Sequence, residues 1–368
     1  MPGVVDADTH VLESQDMWED FDEGGEMYPF RPLLVNLPGD TSWGGRNAFW
    51  LIDGETYPKS AGENTFPLHT PTTAIFEMER TDIAMGARQM TDVGARLEDM
   101  NARGVDLHVV YPTLFIFSAF TNQKLEVALC RAYNKFMAKA CASSGGRLHF
   151  VMMPPLTSVD ACIAEMNECK RHGAVGMFFR ATEADRSLGD AYFFPVYEEA
   201  ARLGLPICIH LGRAIPNSPS VLRGNLGSVS SALMAFIQGR IPEKFPDLKT
   251  GFIEFGSMWV PDTLHQMHRR GQMKYRGPAS AVPLGGRTDP QLFKDYRLYV
   301  TCYADEPLPF VLDYIGEDNL IIGSDYSHQD AAEEEDVVHL MRSRDDVPSR
   351  VVEKILCENA RNFYPLPS

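Results

Sequence analysis

The sequence predicts a parallel (β/α)8 TIM barrel, and three observations lead to this prediction. Short apolar and β-branched runs alternate with longer stretches of helical periodicity, which is the pattern of βαβ units. The runs number eight, which suits a closed barrel better than an open sheet. A length of 368 residues is normal for a barrel that carries an insertion. The predicted strands cover residues 3–8, 106–111, 149–153, 175–180, 206–210, 250–254, 298–302 and 320–325.

Helices are predicted between these strands, and one connection is unusually long. About 80 residues separate the first strand from a helix predicted over 86–103, far more than a usual connection. Within this stretch, Asp53-Gly54 lies at the centre of a hairpin predicted over 47–58. We therefore predict one domain over 1–368, with an insertion at about 14–85 that covers the barrel mouth. The other predicted helices cover residues 125–143, 159–172, 193–203, 307–315 and 349–363.

The composition argues against several classes of protein. A formal net charge of −16 disfavours binding to nucleic acid, which draws on clustered Lys and Arg. The sequence has neither a stretch as long as a membrane span nor the pattern of a signal peptide. Its 7 cysteines are odd in number and form no C-x-x-C pair, so we expect reduced thiols in the cytoplasm. The expected partner is a small-molecule substrate.

The chemistry is predicted at the carboxyl ends of the strands, where barrel enzymes place their active sites. Asp8 ends the first predicted strand and His10 lies two residues further on; both point the same way, because residues two apart in an extended chain share a face. His210 ends the fifth strand, Glu254 the sixth and Asp325 the eighth. Gathering several carboxylates without a cation is costly in repulsion and desolvation, so these residues together favour a metal site.

Each of these residues also has a purely structural interpretation. Asp8 could cap a turn, and a lone His210 could be a hydrogen-bonded core histidine. Glu254 could form an ion pair with Arg180, and Asp325 could form an Asx-turn. These alternatives weaken when the barrel brings the same strand ends together.

Three motifs resemble the amidohydrolase-2 branch of the amidohydrolase superfamily. They are Asp-x-Asp-x-His at 6–10, Ile-His-Leu-Gly at 209–212 and Gly-Ser-Asp-Tyr at 323–326. That branch includes enzymes of the aminocarboxymuconate-semialdehyde decarboxylase and γ-resorcylate decarboxylase types. The resemblance implies a divalent metal at the barrel mouth, held by Asp8, His10, His210 and Asp325.

The chain departs from the family pattern at three positions. The family often has His where this chain has Asp8, and it usually places a catalytic His where this chain has Glu254. His328, three residues past Asp325, is additional. The enlarged set exceeds what one tetrahedral zinc requires and suits one or two divalent ions. Its oxygen ligands favour Mn or Fe over a soft-ligand metal, and Fe, Mn and Zn all stay open. The set is Asp8, His10, His210, Glu254, Asp325 and His328.

Three reactions remain open for such a site. The first is hydrolysis, in which Asp325 takes a proton from metal-activated water. The second is dioxygen activation at an Fe or Mn/Fe pair. His328 and the carboxylates support this reaction, and a resemblance to a dinuclear subgroup of the family implies it. The third is non-oxidative decarboxylation, in which Glu254 would replace the usual His as the acid. A barrel that binds metal only structurally, beside an active partner, is the non-enzymatic alternative.

Four further residues are predicted to bind the substrate. Arg180 and Arg213 follow strand ends and can hold a carboxylate, although a salt bridge to Glu254 or Asp325 is an equal alternative. Trp259 and Tyr326 can line an apolar pocket, or simply pack. We also expect a homo-oligomer, or a hetero-oligomer with a related barrel subunit.

Overall fold

The computed structural model describes residues 3–36, 48–59, 82–117, 120–183, 186–212, 221–271, 290–328 and 333–367. Its strands, in chain order, are Val5–His10 (β1), Leu33–Asn36 (β2), Ala48–Ile52 (β3), Glu55–Pro58 (β4), Leu107–Tyr111 (β5), Leu148–Met152 (β6), Ala174–Arg180 (β7), Ile207–His210 (β8), Thr250–Ile253 (β9), Leu298–Cys302 (β10) and Leu320–Ile322 (β11). Eight of them form a parallel sheet in the order β1-β5-β6-β7-β8-β9-β10-β11. Each of the eight predicted strands overlaps one of these.

The strands of this sheet are buried on both faces. Every residue of β1, β5 and β7 is buried, which is typical of a parallel sheet covered by helices. The register aligns the ends that carry polar side chains: His10 lies opposite Tyr111, and Arg180 lies opposite His210. Because all strands run in one direction, their carboxyl ends meet at one mouth.

The barrel closes between β11 and β1 through the residues that follow β11. The amide of Asp325 donates to the Asp8 carbonyl (3.0 Å), and the amide of His10 donates to the Tyr326 carbonyl (2.8 Å). The buried Asp6 carboxylate also accepts hydrogen bonds from the amide (2.9 Å) and the hydroxyl of Ser324. The predicted (β/α)8 barrel is confirmed.

Helices alternate with the strands and surround them. Several begin at a side-chain cap, as where Asn122 accepts from the Leu125 amide and Ser158 from the Ala161 amide. The helices are Met85–Arg88 (α1), Val93–Ala102 (α2), Leu114–Phe117 (α3), Gln123–Ala142 (α4), Val159–Arg171 (α5), Phe194–Leu203 (α6), Val221–Gln238 (α7), Ile241–Lys244 (α8), Trp259–Gly271 (α9), Gln291–Tyr296 (α10), Leu308–Ile315 (α11), Val337–Ser343 (α12), Ser349–Glu353 (α13) and Asn359–Phe363 (α14). None of the helices within the described ranges is long and apolar enough to cross a membrane.

Two predicted helices are interrupted. The helix predicted over 86–103 is two helices, because Met90 has a φ of 59° and Asp92 caps a new helix at the Ala95 amide. The helix predicted over 349–363 contains a π-helical turn at Lys354–Glu358. The hydrophobic periodicity of the sequence predicts neither of these two breaks.

The hairpin predicted in the insertion is confirmed. β3 and β4 are antiparallel, with Ile52 opposite Glu55, and Asp53 (φ 52°) and Gly54 (φ 78°) form the tight turn. A third strand, β2, pairs with β3 and was not predicted. Residues 60–81 of the insertion lie outside the described residues, so its placement over the mouth stays a prediction.

Candidate metal centre

The ends of β1, β8, β9 and β11 bring all six predicted metal ligands into one buried cluster. Their side chains form two overlapping groups whose ligand atoms lie within 4.8 Å of one another. Each of the six residues is at most 3% exposed. The first group is Asp8, His10, His210 and Glu254, and the second is His10, Asp325 and His328.

The first group surrounds the Nε2 atom of His210. Asp8 Oδ1 lies 3.4 Å from this nitrogen and also 3.4 Å from Nε2 of His10. Glu254 Oε2 lies 3.0 Å from Nε2 of His210. Two imidazoles and two carboxylates therefore converge on one point, a mixed nitrogen and oxygen donor set that suits a divalent transition metal.

The second group adjoins the first through His10. Asp325 Oδ1 lies 3.3 Å from Nε2 of His10 and 2.8 Å from Nδ1 of His328. The rings of His10 and His328 stack with their centroids 3.8 Å apart. Asp325 thus stands between the two histidines, where it can serve either a second ion or a proton transfer.

Hydrogen bonds to backbone carbonyls define the proton positions on two of the histidines. Nδ1 of His10 lies 2.9 Å from the Pro112 carbonyl, and Nδ1 of His210 lies 2.7 Å from the Leu211 carbonyl. A carbonyl oxygen only accepts, so each Nδ1 carries a proton and leaves Nε2 of each ring to face the cluster, where it can bind an ion. This is the arrangement of a metal-binding histidine.

The buried charges favour a cation at the centre. Burial alone would lower the pKa of His210, but the Glu254 and Asp8 carboxylates raise it to about 10. Burial would raise the pKa of Asp8, but His10 and His210 outweigh it and hold the value at about 2. Both shifts show that the cluster stabilises positive charge, which a divalent ion supplies more fully than a proton. The residues present therefore fit a metal ion.

Two of the carboxylates sit on strained backbone. Glu254 has a φ of 68° and Asp325 a φ of 54°, in the left-handed region that residues with a Cβ rarely adopt. Such strain persists only where surrounding contacts impose it, and it concentrates at functional sites. Close packing also shapes Asp8, because a Cβ on Gly323 would lie 2.2 Å from the Asp8 Cβ.

Buried polar residues that were not predicted support the cluster. Arg96 is fully buried and donates to the His10 carbonyl (2.8 Å) and the Thr9 hydroxyl (2.9 Å). Thr113 places its Oγ1 2.8 Å from Nε2 of His328. Both residues lie far from the motifs along the chain, so no sequence spacing identifies them.

Buried charges of both signs lie beside Thr113 and His328. The Glu13 carboxylate accepts from the amides of Thr113 (2.9 Å) and Leu114 (2.8 Å). Arg88 donates to the Ser327 carbonyl at 3.0 Å. Lys59 and Arg88 are 7% and 6% exposed, so two cationic side chains are buried near the cluster, one of them from the insertion.

The residues predicted to bind substrate make other contacts. Arg180 forms a buried ion pair with Glu183 (2.6 Å) rather than with Glu254 or Asp325, and it donates to the Phe115 carbonyl. The Tyr326 hydroxyl donates to Asp99 on α2 (2.6 Å).

Trp259 donates its indole N–H to the Gly256 carbonyl (2.9 Å). Arg213 lies outside the described residues. The substrate-binding roles of these four residues stay predictions.

Comparison with known proteins identifies relatives of the chain. The amidohydrolase family (Amidohydro_2) matches residues 5–366. The chain is 21% identical over 242 residues to the 2-amino-3-carboxymuconate-6-semialdehyde decarboxylase of Dictyostelium discoideum. That match covers 64% of this chain and 66% of the relative, so the chain spans just under two thirds of the relative's length.

Two solved structures share the fold. An amidohydrolase from Mycobacterium avium subsp. paratuberculosis K-10 has a TM-score of 0.75 at 17% identity, covering 98% of this chain and 97% of that one. The 5-carboxyvanillate decarboxylase from Novosphingobium aromaticivorans DSM 12444, in complex with manganese and 4-hydroxy-3-methoxy-5-nitrobenzoic acid, has a TM-score of 0.66 at 22% identity, with coverages of 79% and 84%. With a family match over nearly its whole length and the barrel fold of these structures, the chain belongs to the amidohydrolase family.

Proposed function

We propose that this chain is a divalent-metal-dependent decarboxylase of a small organic acid. The observation that carries the proposal is the pair formed by Asp325 and His328, 2.8 Å apart, next to the four-residue donor set that it adjoins through His10. The donor set can hold an ion while the pair handles a proton. Both functions are needed to remove carbon dioxide and protonate the carbon that it leaves.

The position of Glu254 decides which residue supplies the proton. From the sequence, Glu254 was the only candidate for this role, which made decarboxylation the third hypothesis. Glu254 Oε2 lies 3.0 Å from Nε2 of His210, inside the donor set, so we assign Glu254 to the ion. His328 then becomes the acid, oriented by Asp325 on one side and by Thr113 on the other.

A bound divalent cation would supply the positive charge that neutralises a substrate carboxylate and stabilises the electron pair left as carbon dioxide departs. His328 donates to that carbon the Nε2 proton that Thr113 holds before the substrate binds, and Asp325 at Nδ1 stabilises the imidazolium beforehand. The burial of all these groups excludes water from the reacting carbon. The bond from carbon to the carboxylate breaks, and the carbon–hydrogen bond replaces it.

The relatives support this reaction and suggest a class of substrate. The curated relative and the manganese-containing structure are both named as decarboxylases. The substrate named for each is an unsaturated acid with an amino, hydroxyl or carbonyl substituent, which can delocalise the electron pair. We propose the same chemical class for this chain.

The number of carboxylates bears on the number of ions. Asp8, Glu254 and Asp325 are all buried, so one divalent ion would leave the cluster with net negative charge. Two ions would leave it net positive and attractive to an acidic substrate. A second ion on Asp325 and His328 would occupy the proposed acid, so we propose that decarboxylation uses one ion in the four-residue donor set and that two ions would favour hydrolysis or dioxygen activation. Fe, Mn and Zn all remain compatible with this mixed donor set.

Hydrolysis is the second candidate function. Asp325 Oδ1 lies 3.3 Å from Nε2 of His10, so a water held between the two groups of residues would have a carboxylate to take its proton. Dioxygen activation, the second hypothesis from the sequence, becomes the third candidate, because it requires two redox-active ions.

One experiment separates the three reactions. The metal-free protein is loaded with Mn, Fe or Zn in turn. Each sample is incubated with carboxylated phenols or with esters of the same acids, while an electrode records oxygen uptake. Release of carbon dioxide without oxygen uptake supports the proposal. This release should be lost in His328→Gln while the metal content stays unchanged. Ester cleavage alone, or oxygen uptake in step with product, contradicts it. Elemental analysis of each sample gives the ion count.

A further inference from the structure

We infer that Thr301 and Tyr303, which no motif singles out, are positioning residues that hold Glu254 in the metal centre. The inference rests on the proposed role of Glu254 as a ligand, and it concerns the strand next to the one that Glu254 follows. Thr301 lies in β10, and Tyr303 follows that strand directly.

Both peptide groups that flank the Glu254 α-carbon bind a hydroxyl from this neighbouring strand. The Glu254 amide donates to Thr301 Oγ1 at 2.8 Å, and the Tyr303 hydroxyl donates to the Glu254 carbonyl at 3.0 Å. The Thr301 hydroxyl in turn donates to the Phe252 carbonyl at 3.3 Å. The backbone of Glu254 is thus held from both sides by side chains rather than by the sheet ladder.

These two contacts act at a strained residue. Glu254 has a φ of 68°, which is disfavoured for a residue with a Cβ. Because φ and ψ define the direction of the side chain, relaxation to an ordinary conformation would turn its carboxylate away from His210, which now lies 3.0 Å distant. The two hydroxyls therefore act on the ligand through its backbone.

The chain after Glu254 packs closely against the same residues. Gly256 has a φ of 62°, and a Cβ there would lie 2.8 Å from Cε2 of Tyr303 and 2.5 Å from Oε1 of Glu306. Glu306 accepts from the amides of Ser257 (2.7 Å) and Tyr303 (3.3 Å), so one buried carboxylate joins the two segments. The turn after β9 and the turn after β10 therefore pack as one unit, and this unit fixes the direction of the Glu254 side chain.

The test uses hydroxyl deletions with matched controls. Tyr303→Phe removes only the hydroxyl that reaches Glu254. Tyr192→Phe is its control, because that hydroxyl also donates to a backbone carbonyl, of Leu156 at 2.9 Å, in a partly buried site on another part of the barrel. Thr301→Val removes the second hydroxyl, and Thr301→Ser keeps it.

Two quantities are measured for each variant: the dissociation constant for Mn²⁺ by calorimetric titration, and the melting temperature of the metal-free protein. We expect Tyr303→Phe and Thr301→Val to weaken Mn²⁺ binding about 10-fold or more, as contacts behind a ligand commonly do. Tyr192→Phe and Thr301→Ser should bind as wild type does. A purely structural role would instead lower the melting temperatures and leave the dissociation constants equal.

The outcomes separate this inference from the proposed function. If wild type binds Mn²⁺ and Tyr303→Phe binds it equally well, the positioning role is overturned and the metal centre stands. If wild type binds no divalent ion, the positioning role and the proposed metal-dependent function are both overturned. If Thr301→Val does not fold, the comparison of Tyr303→Phe with Tyr192→Phe still decides, because each loses one hydroxyl only.

Discussion

The Nε2 atoms of His10 and His210 lie 3.2 Å apart, each on a ring whose Nδ1 faces a backbone carbonyl. Two lone pairs at this distance repel each other unless a proton or a metal ion lies between them. The Asp8 and Glu254 carboxylates surround the same point, so the favoured occupant carries more than one positive charge.

Removal of the ion should destabilise the protein. An ion that binds only the folded state adds about 2.7 kcal/mol at a free concentration 100 times its dissociation constant. We expect a chelator to lower the melting temperature and Mn²⁺ to restore it. In His210→Asn the added Mn²⁺ should restore little, whereas His149→Asn, on β6 away from the cluster, should respond as wild type does. A melting temperature that is indifferent to chelator would contradict the metal assignment.

Gly323→Ala should disrupt the centre without touching a ligand. A Cβ at this position would lie 2.2 Å from the Asp8 Cβ and 3.0 Å from its Cα, so β1 or the turn after β11 must move. We expect a loss of Mn²⁺ affinity of about 10-fold or more together with lower stability. Gly94→Ala in α2, where the nearest atom is a side-chain oxygen at 3.3 Å, should keep its affinity. Unchanged binding in Gly323→Ala would show that the barrel accommodates the methyl group.

The positions of the six donors could be predicted from the sequence because barrel geometry relates strand ends to one another. The apolar runs identify the strands, parallel order places their carboxyl ends at one mouth, and the two-residue period orients Asp8 and His10 together. The eight strands of the barrel follow from the same pattern. The resemblance to a family adds the metal, and the structure agrees with the donor types.

Other features could not be predicted, because they depend on contacts between distant residues. Arg96 reaches the His10 carbonyl from α2, and the positive φ of Glu254 is imposed by contacts from β10. The direction of a side chain after the end of a strand could not be predicted either. Tyr326 follows Asp325 in sequence and was predicted to line a pocket, but its hydroxyl donates to Asp99. Beyond the end of a strand, the two-residue period no longer applies.

Thr113→Val should lower kcat and leave KM nearly unchanged. Thr113 Oγ1 lies 2.8 Å from Nε2 of His328 and holds the ring with its Nδ1 toward Asp325. Without the hydroxyl the ring can turn, so the proposed acid is misaligned while the ion and the substrate still bind. We expect kcat to fall about 10-fold or more. Thr113→Ser, which keeps the hydroxyl, should retain most of the activity.

Steady-state kinetics with metal analysis of each sample checks this prediction. A rise in KM at constant kcat would assign Thr113 to substrate binding instead. A loss of one ion per chain in Thr113→Val would show that His328 is a ligand in the working enzyme.

Glu13→Gln should change how stability depends on pH. Burial raises the pKa of Glu13 from an ordinary value of 4.5 to about 7 in the folded protein. The Leu114 and Thr113 amides and Lys59 oppose this rise without cancelling it. Between these values the folded state holds a proton that the unfolded state releases, so this group lowers stability as pH rises from about 4.5 to 7. Glutamine cannot ionise, so that part of the fall should vanish.

The variant has a cost of its own that does not depend on pH. Its amide group cannot accept from both backbone N–H groups that the carboxylate now satisfies, which removes about 1 kcal/mol. Urea unfolding at pH 5 and pH 7.5 in chelator measures both effects, with Glu98→Gln on the exposed face of α2 as the control. We expect Glu13→Gln to be the less stable protein at pH 5 and to lose less stability than wild type by pH 7.5. If the two proteins lose equal stability, Glu13 is ionised throughout, and the adjacent cations Lys59 and Arg88 outweigh its burial.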